Sequence, residues 1–181
     1  MNLEEKTLTQ ERLYQGRIIN LRRDTVALAN GREALREVVE HTGGVCVAAL
    51  TKEGEVLLVE QFRYPYKEVL LEIPAGKLEK GEEAEICGRR ELAEETGARA
   101  EKFVSLGRLY PSPGYCAEII YMYAACGLSF GEQNLDEDEF LNVKRIKLEE
   151  AVNMVLENKI TDAKTQAALL KLYLLRERLF Q

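Results

Sequence analysis

The chain has 181 residues, 46% of them apolar, with 25 basic and 31 acidic side chains and a net charge of −6. That length fits one compact domain with a small appendage, and the apolar share is enough for a packed core. An acidic balance argues against general binding to nucleic acid or to an anionic membrane, and no apolar run approaches the length of a bilayer span.

The opening MNLEEKTLTQERLY lacks the basic-then-apolar pattern of a secretory signal. Short strands are expected at Tyr14 to Asn20, Leu21 to Leu28 and Ala34 to His41, with Asn30-Gly31 as a hairpin turn because both residues tolerate positive φ. Three strands alone cannot bury a face in so small a piece, so residues 1–41 are expected to form an N-terminal antiparallel β-element that packs on something else, as an appendage or a dimerisation element, ahead of a domain at 42–181. From Gly43 the run GGVCVAAL reads as a strand covered on both faces. A turn at Lys52 to Glu55 leads into a strand from Val56 to Gln61, and Val69 to Ile73 is another. Gly76 to Gly81 reads as a loop, and a helix runs from Glu82-Glu83 to about Thr96, with Gly97 as its cap. Glu101 to Leu109 and Tyr115 to Cys126 read as strands on either side of a rigid loop, Tyr110 to Gly114. An acidic loop, Gly131 to Asp138, precedes a strand from Glu139 to Lys147. Helical spacing then covers Leu148 to Asn158 and Asp162 to Phe180, with Leu170, Leu174 and Phe180 as expected core residues. Strands flanked by helices predict an α/β/α sandwich. Cys46, Cys87, Cys116 and Cys126 are scattered, three of them among apolar residues, and His41 is the single histidine. Buried free thiols in a reducing cytoplasm are expected, and zinc is not.

Within the helix, Glu91, Glu94 and Glu95 have the i, i+3, i+4 spacing that crowds carboxylates along one edge. A solvated acidic face would look the same, but the surroundings add more. Gly76, five residues, Glu82, seven residues, then Arg90-Glu91-Leu92-x-Glu94-Glu95-x-Gly97-Ala98 resembles the signature of the Nudix hydrolases, G-x5-E-x7-R-E-U-x-E-E-x-G-U with U aliphatic. Ala98 is the one soft position. The resemblance implies a Nudix-type α/β/α sandwich with a mixed sheet, and hydrolysis of a nucleoside diphosphate linked to another group, with Mg2+ or Mn2+ as cofactor. By the same resemblance Glu91, Glu95, Glu94 and Glu82 are metal ligands, together with the backbone carbonyl of Ala75. Arg90 would orient the glutamates, although a structural salt bridge would look much the same.

Pro113, sixteen residues after Gly97 and within Tyr110-Pro-Ser-Pro-Gly-Tyr-Cys-Ala-Glu118, resembles the loop of the ADP-ribose pyrophosphatase subgroup. That implies ADP-ribose as substrate, with Glu118 binding the terminal ribose hydroxyls. Glu60-Gln61-Phe62-Arg63-Tyr64-Pro65 resembles the subgroup's segment whose arginine, here Arg63, contacts the diphosphate. Arg36, in Arg36-Glu37-Val38-Val39, resembles a residue that reaches across a homodimer into the partner's site; a structural role is equally open. Tyr14 could stack on adenine, although a strand tyrosine more often packs. Glu139, ahead of Phe140-Leu141-Asn142-Val143, matches the subgroup's general base, with Glu137 in reserve. Another Nudix specificity, such as GDP-mannose or another ADP-sugar, and a non-catalytic nucleotide-sensing module are the competing readings. The module reading is disfavoured because all four box glutamates are present.

Overall fold

The apolar run after Gly43 forms a strand whose every residue is buried, as a strand packed on both faces requires. The computed structural model describes residues 3–137 and 139–180. Its elements, in chain order, are β1 (Lys6–Gln15), β2 (Asn20–Ala27), β3 (Glu33–Glu40), β4 (Gly44–Ala49), β5 (Glu55–Arg63), β6 (Glu68–Glu72), β7 (Ala75–Lys77), α1 (Ala84–Thr96), β8 (Ala98–Leu109), β9 (Ile120–Phe130), β10 (Leu141–Lys147), α2 (Leu148–Leu156) and α3 (Ala163–Leu179). They divide into two compact units, Met1–Gly43 with Tyr110–Ile119, and Gly44–Leu109 with Ile120–Gln181.

The larger unit is built around β4. Side chains alternate along a strand, and both sets here find a core. Cys46 and Ala48 join one apolar cluster, which α2 and α3 fill with Ala151, Val152, Ala168, Leu169 and Leu172. Val47 and Ala49 join another with Leu92 of α1, while Val45 packs with Cys87 of α1 and Tyr123. β9 repeats the alternation, sending Met122 and Ala124 to the α3 side and Ala125 to the α1 side. The four-stranded sheet has the order β7-β4-β9-β8, with β4 and β9 parallel and the other pairs antiparallel. A second, antiparallel sheet has β5 between β10 and β6. The result is a mixed α/β sandwich with helices on both faces of the sheet. Among the described residues no helix is long and apolar enough to cross a membrane.

The smaller unit is an antiparallel sheet of order β1-β2-β3. Residues 115–117 add to its β3 edge: Val39 N–H donates to Tyr115 O at 2.8 Å, and Ala117 N–H donates to Val39 O at 2.9 Å.

Several boundaries differ from the sequence expectation. The first strand is Lys6–Gln15 rather than Tyr14 to Asn20, and Gly16 to Ile19 is the turn, closed by Gly16 N–H on Ile19 O at 3.0 Å. All ten residues of β1 are exposed, so it carries no buried face for alternation to reveal. Of the Asn30-Gly31 pair only Gly31 takes positive φ (80°), while the Asn30 side chain accepts from Arg32 N–H. β7 occupies the start of the expected Gly76 loop, β8 follows directly on Gly97, and β9 begins at Ile120 rather than Tyr115. Leu174 is 76% exposed and is not a core residue, whereas Leu170 and Phe180 pack at the core margin. Apolar residues surround the helix at 169–174, so spacing alone does not choose its buried face. The four cysteines are free; Cys46 and Cys87 are buried, but Cys116 and Cys126 are only partly so.

Candidate active site

The buried face of α1 consists of Cys87, Gly88, Glu91, Leu92, Glu95 and Thr96, a spacing of three to four residues that faces one side of a helix. Leu92 and Cys87 go into the core, and Glu91 and Glu95 follow them inward, 8% and 2% exposed. Carboxylates are rarely withdrawn this far from water without a partner. Burial pushes the Glu95 pKa up to about 8; the Ala75 N–H opposes this, and the negative charges of Glu91 and Glu139 add to it. That N–H donates to Glu95 Oε2 at 3.0 Å, tying β7 to the helix. Burial also raises the Glu91 pKa, against the pull of Arg90 and with the push of Glu94 and Glu139. Gly76 is required beside them, because a Cβ there would fall inside the Glu91 carboxyl group.

Arg90 gathers the remaining acids. Its Nε and Nη2 donate to the two oxygens of Glu82 at 3.0 Å each, and its Nη1 donates to Glu91 Oε1 at 2.8 Å and Glu94 Oε2 at 2.9 Å. Hydrogen bonds from Arg90 hold the Glu82 pKa down to about 2, and the same Glu82 contact raises that of Arg90. Glu94 is more open, with its side chain 34% exposed. With Arg90 between the carboxylates, no three His, Cys, Asp or Glu side chains among the described residues stand close enough to hold an ion as they are arranged. The donor set nonetheless fits a divalent cation: hard oxygen ligands, two of them buried, with pKa values raised by burial and by neighbouring carboxylates.

The loop after β9 lies across the end of α1. Gly97, at φ 69°, closes the helix through its N–H on Ala93 O. Gly131 N–H donates to Gly97 O at 2.8 Å, Asn134 N–H to Glu94 O at 3.0 Å, and the Gln133 side-chain amide to Glu95 O. The loop ends at Glu139, which is half-buried and whose charge is felt at both Glu91 and Glu95. Glu137 is exposed, and Asp138 lies outside the described residues. Arg63, at the end of β5, is held by Glu72 through two hydrogen bonds, Nε to Oε1 at 2.6 Å and Nη2 to Oε2 at 2.7 Å. Its charge also bears on Glu95, so Arg63 belongs to the same neighbourhood. Gln133, Asn134 and Glu72 were not singled out from the sequence; their contacts depend on the fold and leave no local spacing to read.

The other candidates lie in the smaller unit. Arg36, on β3, has all three nitrogens engaged: Nε and Nη2 by Glu5, and Nη1 by its neighbour's carbonyl, Leu35 O. Glu118 is partly buried, with Oε1 3.4 Å from His41 Nδ1, and Pro113 is exposed in the turn before it. Tyr14 is 57% exposed on β1.

A helix bearing the signature, laid on a mixed sheet with two acids on its core face, is the arrangement that the sequence resemblance implied, and comparison with known proteins gives the class. A model of the NUDIX domain matches residues 34–171, and one of the nucleoside diphosphate sugar hydrolase N-terminal domain matches residues 5–39. The chain belongs to the Nudix hydrolase family. It is 45% identical over 170 residues to an ADP-ribose pyrophosphatase of Bacillus subtilis (strain 168), covering 93% of this chain and 92% of that protein. It is also 45% identical over 167 residues to a methanol dehydrogenase activator of Bacillus methanolicus, covering 91% and 90%. Its fold matches the crystal structure of an ADP compounds hydrolase with a TM-score of 0.85, at 20% identity and 98% coverage of both chains.

Proposed function

We propose that this protein hydrolyses the pyrophosphate bond of ADP-ribose to AMP and ribose 5-phosphate, with magnesium or manganese as cofactor. The observation that carries the reading is the pair of acids on the core face of α1, Glu91 and Glu95, whose ionised forms burial disfavours and a bound cation would stabilise. The name of the Bacillus subtilis relative supports ADP-ribose as the substrate.

Glu82, Glu91, Glu94, Glu95 and the Ala75 carbonyl would hold the ion or ions. When bound, a divalent cation neutralises diphosphate charge and makes water a better nucleophile. The chain's own residues supply the rest. Glu139 takes the proton as the water oxygen attacks phosphorus, and the bridging P–O bond breaks to release AMP and ribose 5-phosphate. Its half-buried position and its influence on Glu91 and Glu95 favour it over the exposed Glu137. Arg90, now clamped to three glutamates, orients them. Arg63 takes the diphosphate, while Glu118 takes the terminal ribose beside the Pro113 turn. Arg36 exchanges Glu5 for substrate, acting across a homodimer. A cytoplasmic location completes the proposal.

A panel of ADP-ribose, GDP-mannose and other ADP-sugars, assayed with and without chelator, tests it. The expected result is AMP and ribose 5-phosphate from ADP-ribose, abolished by chelator. Preference for GDP-mannose would overturn the substrate, and tight ADP-ribose binding without turnover would overturn the enzyme.

A further inference from the structure

Lys164 stands where neither solvent nor helix electrostatics favours it. Its side chain is 12% exposed, and it lies in the first turn of α3, whose N-terminal dipole repels a cation. A buried ion pair adds little to fold stability over an apolar residue of the same size, so the position calls for another explanation. Its contacts supply one. Nζ donates to Glu72 Oε2 and, at 3.0 Å, to Asp162 Oδ1. Glu72, 1% exposed, is thus shared between Lys164 and the two-point grip on Arg63. Asp162 also caps α3 by accepting from Thr165 N–H at 2.9 Å, and the fully buried Thr165 hydroxyl accepts from Ile73 N–H at 2.9 Å. Both ends of the Glu72-Ile73 pair, two residues before Ala75, are therefore tied to one turn of α3, some 92 residues further along the chain. Glu72 occupies Nε and Nη2 of Arg63, which leaves Nη1 without a partner among the described residues.

We propose that Lys164 is a positioning residue for the substrate diphosphate: it fixes Glu72, which aims the Arg63 guanidinium. The proposal rests on the assignment of Arg63 to the diphosphate. An arginine held at two nitrogens offers its third in one direction and loses little rotamer entropy when an anion arrives. Without Lys164, Glu72 loses one of its two anchors, and the Arg63 fork is free to tilt.

The test is a double-mutant cycle in the full chain, using Lys164→Met, Arg63→Gln and the pair. KM and kcat for ADP-ribose are measured, together with calorimetric ADP-ribose affinity in chelator, where nothing turns over. Lys164→Met is expected to raise KM about tenfold, by more than it lowers kcat, with a matching loss of affinity in chelator. In the Arg63→Gln background the same change should add little, because its effect passes through Arg63. If the two losses multiply, or if Lys164→Met leaves KM and affinity unchanged while Arg63→Gln raises KM, the positioning role is overturned and the Arg63 assignment survives. If Arg63→Gln alone changes neither KM nor affinity, the Arg63 assignment itself falls, and the proposal with it. Should Lys164→Met fail to fold, Glu72→Gln keeps the side-chain shape and is expected to show the same non-additivity with Arg63→Gln; losses that multiply there overturn the proposal equally.

Discussion

Glu95 concentrates the chemistry of the site in one side chain. It is almost wholly buried, holds a single backbone N–H, and shares its surroundings with the charges of Glu91 and Glu139. Residues this constrained tolerate little displacement around them. Gly76→Ala would push a methyl group into the Glu91 carboxyl; kcat for ADP-ribose is expected to fall by ~100-fold or more, since a misplacement of about 1 Å has that effect elsewhere. A variant with wild-type kcat would show that Glu91 has freedom to move away. The two acids near the start of β10 separate in the same assay. Glu139→Gln is expected to cut turnover by ~10²–10⁴-fold, and Glu137→Gln by less than about tenfold. The reverse order would transfer the role of base to Glu137.

The helix α1 is closed firmly at one end. At its C-terminus Gly97 adopts a left-handed conformation, and a Cβ there would also collide with the Gly131 carbonyl. Gly97→Ala should therefore destabilise the protein by about 1–3 kcal/mol or more in denaturant unfolding, with the loop that carries Glu139 loosened as well. In α3, Leu172→Ala is expected to destabilise by about 2–5 kcal/mol and Leu174→Ala by less than about 0.5 kcal/mol. Equal losses would put the wrong face of α3 in the core. That contrast also shows where sequence reading stops. The box helix was readable to its cap because its glycines, acids and arginine have fixed offsets, and so was the double-faced strand at Val45 to Ala49, an unbroken apolar run. The three glutamates read as one crowded edge, but only packing decides that Glu91 and Glu95 turn inward while Glu94 remains more open. β1 offers no period because all its residues are exposed, and Leu174 does not declare its exposure because the leucines of α3 between 169 and 175 are spread around the helix. The Arg63–Glu72–Lys164 chain joins residues far apart in sequence, which no local pattern encodes.

For the protein as a whole, a buried acid set makes stability depend on pH and on cations together. The folded state raises the Glu95 pKa from 4.5 to about 8, so it binds that proton more tightly than the unfolded chain does. The associated stability is fully present below about pH 4.5 and is lost as pH rises through about 8. In chelator, Tm is expected to decline across that window, and magnesium should restore it at the alkaline end by joining the ionised acids. Glu72 acts in the opposite sense. Burial works against its charge, but Arg63 and Lys164 outweigh it and hold the pKa below the usual carboxylate value, so its contribution is lost only under more acidic conditions. A Tm in chelator that stays level between those limits would contradict the raised Glu95 pKa. The most direct measurement of the central claim is a Mn2+ titration followed by electron paramagnetic resonance, comparing the unaltered protein with Glu95→Gln. Saturable binding that weakens by about tenfold or more in the variant is the expected result. Equal affinity in the two proteins, or no binding by either in the presence of a non-cleavable ADP-ribose analogue, would contradict it.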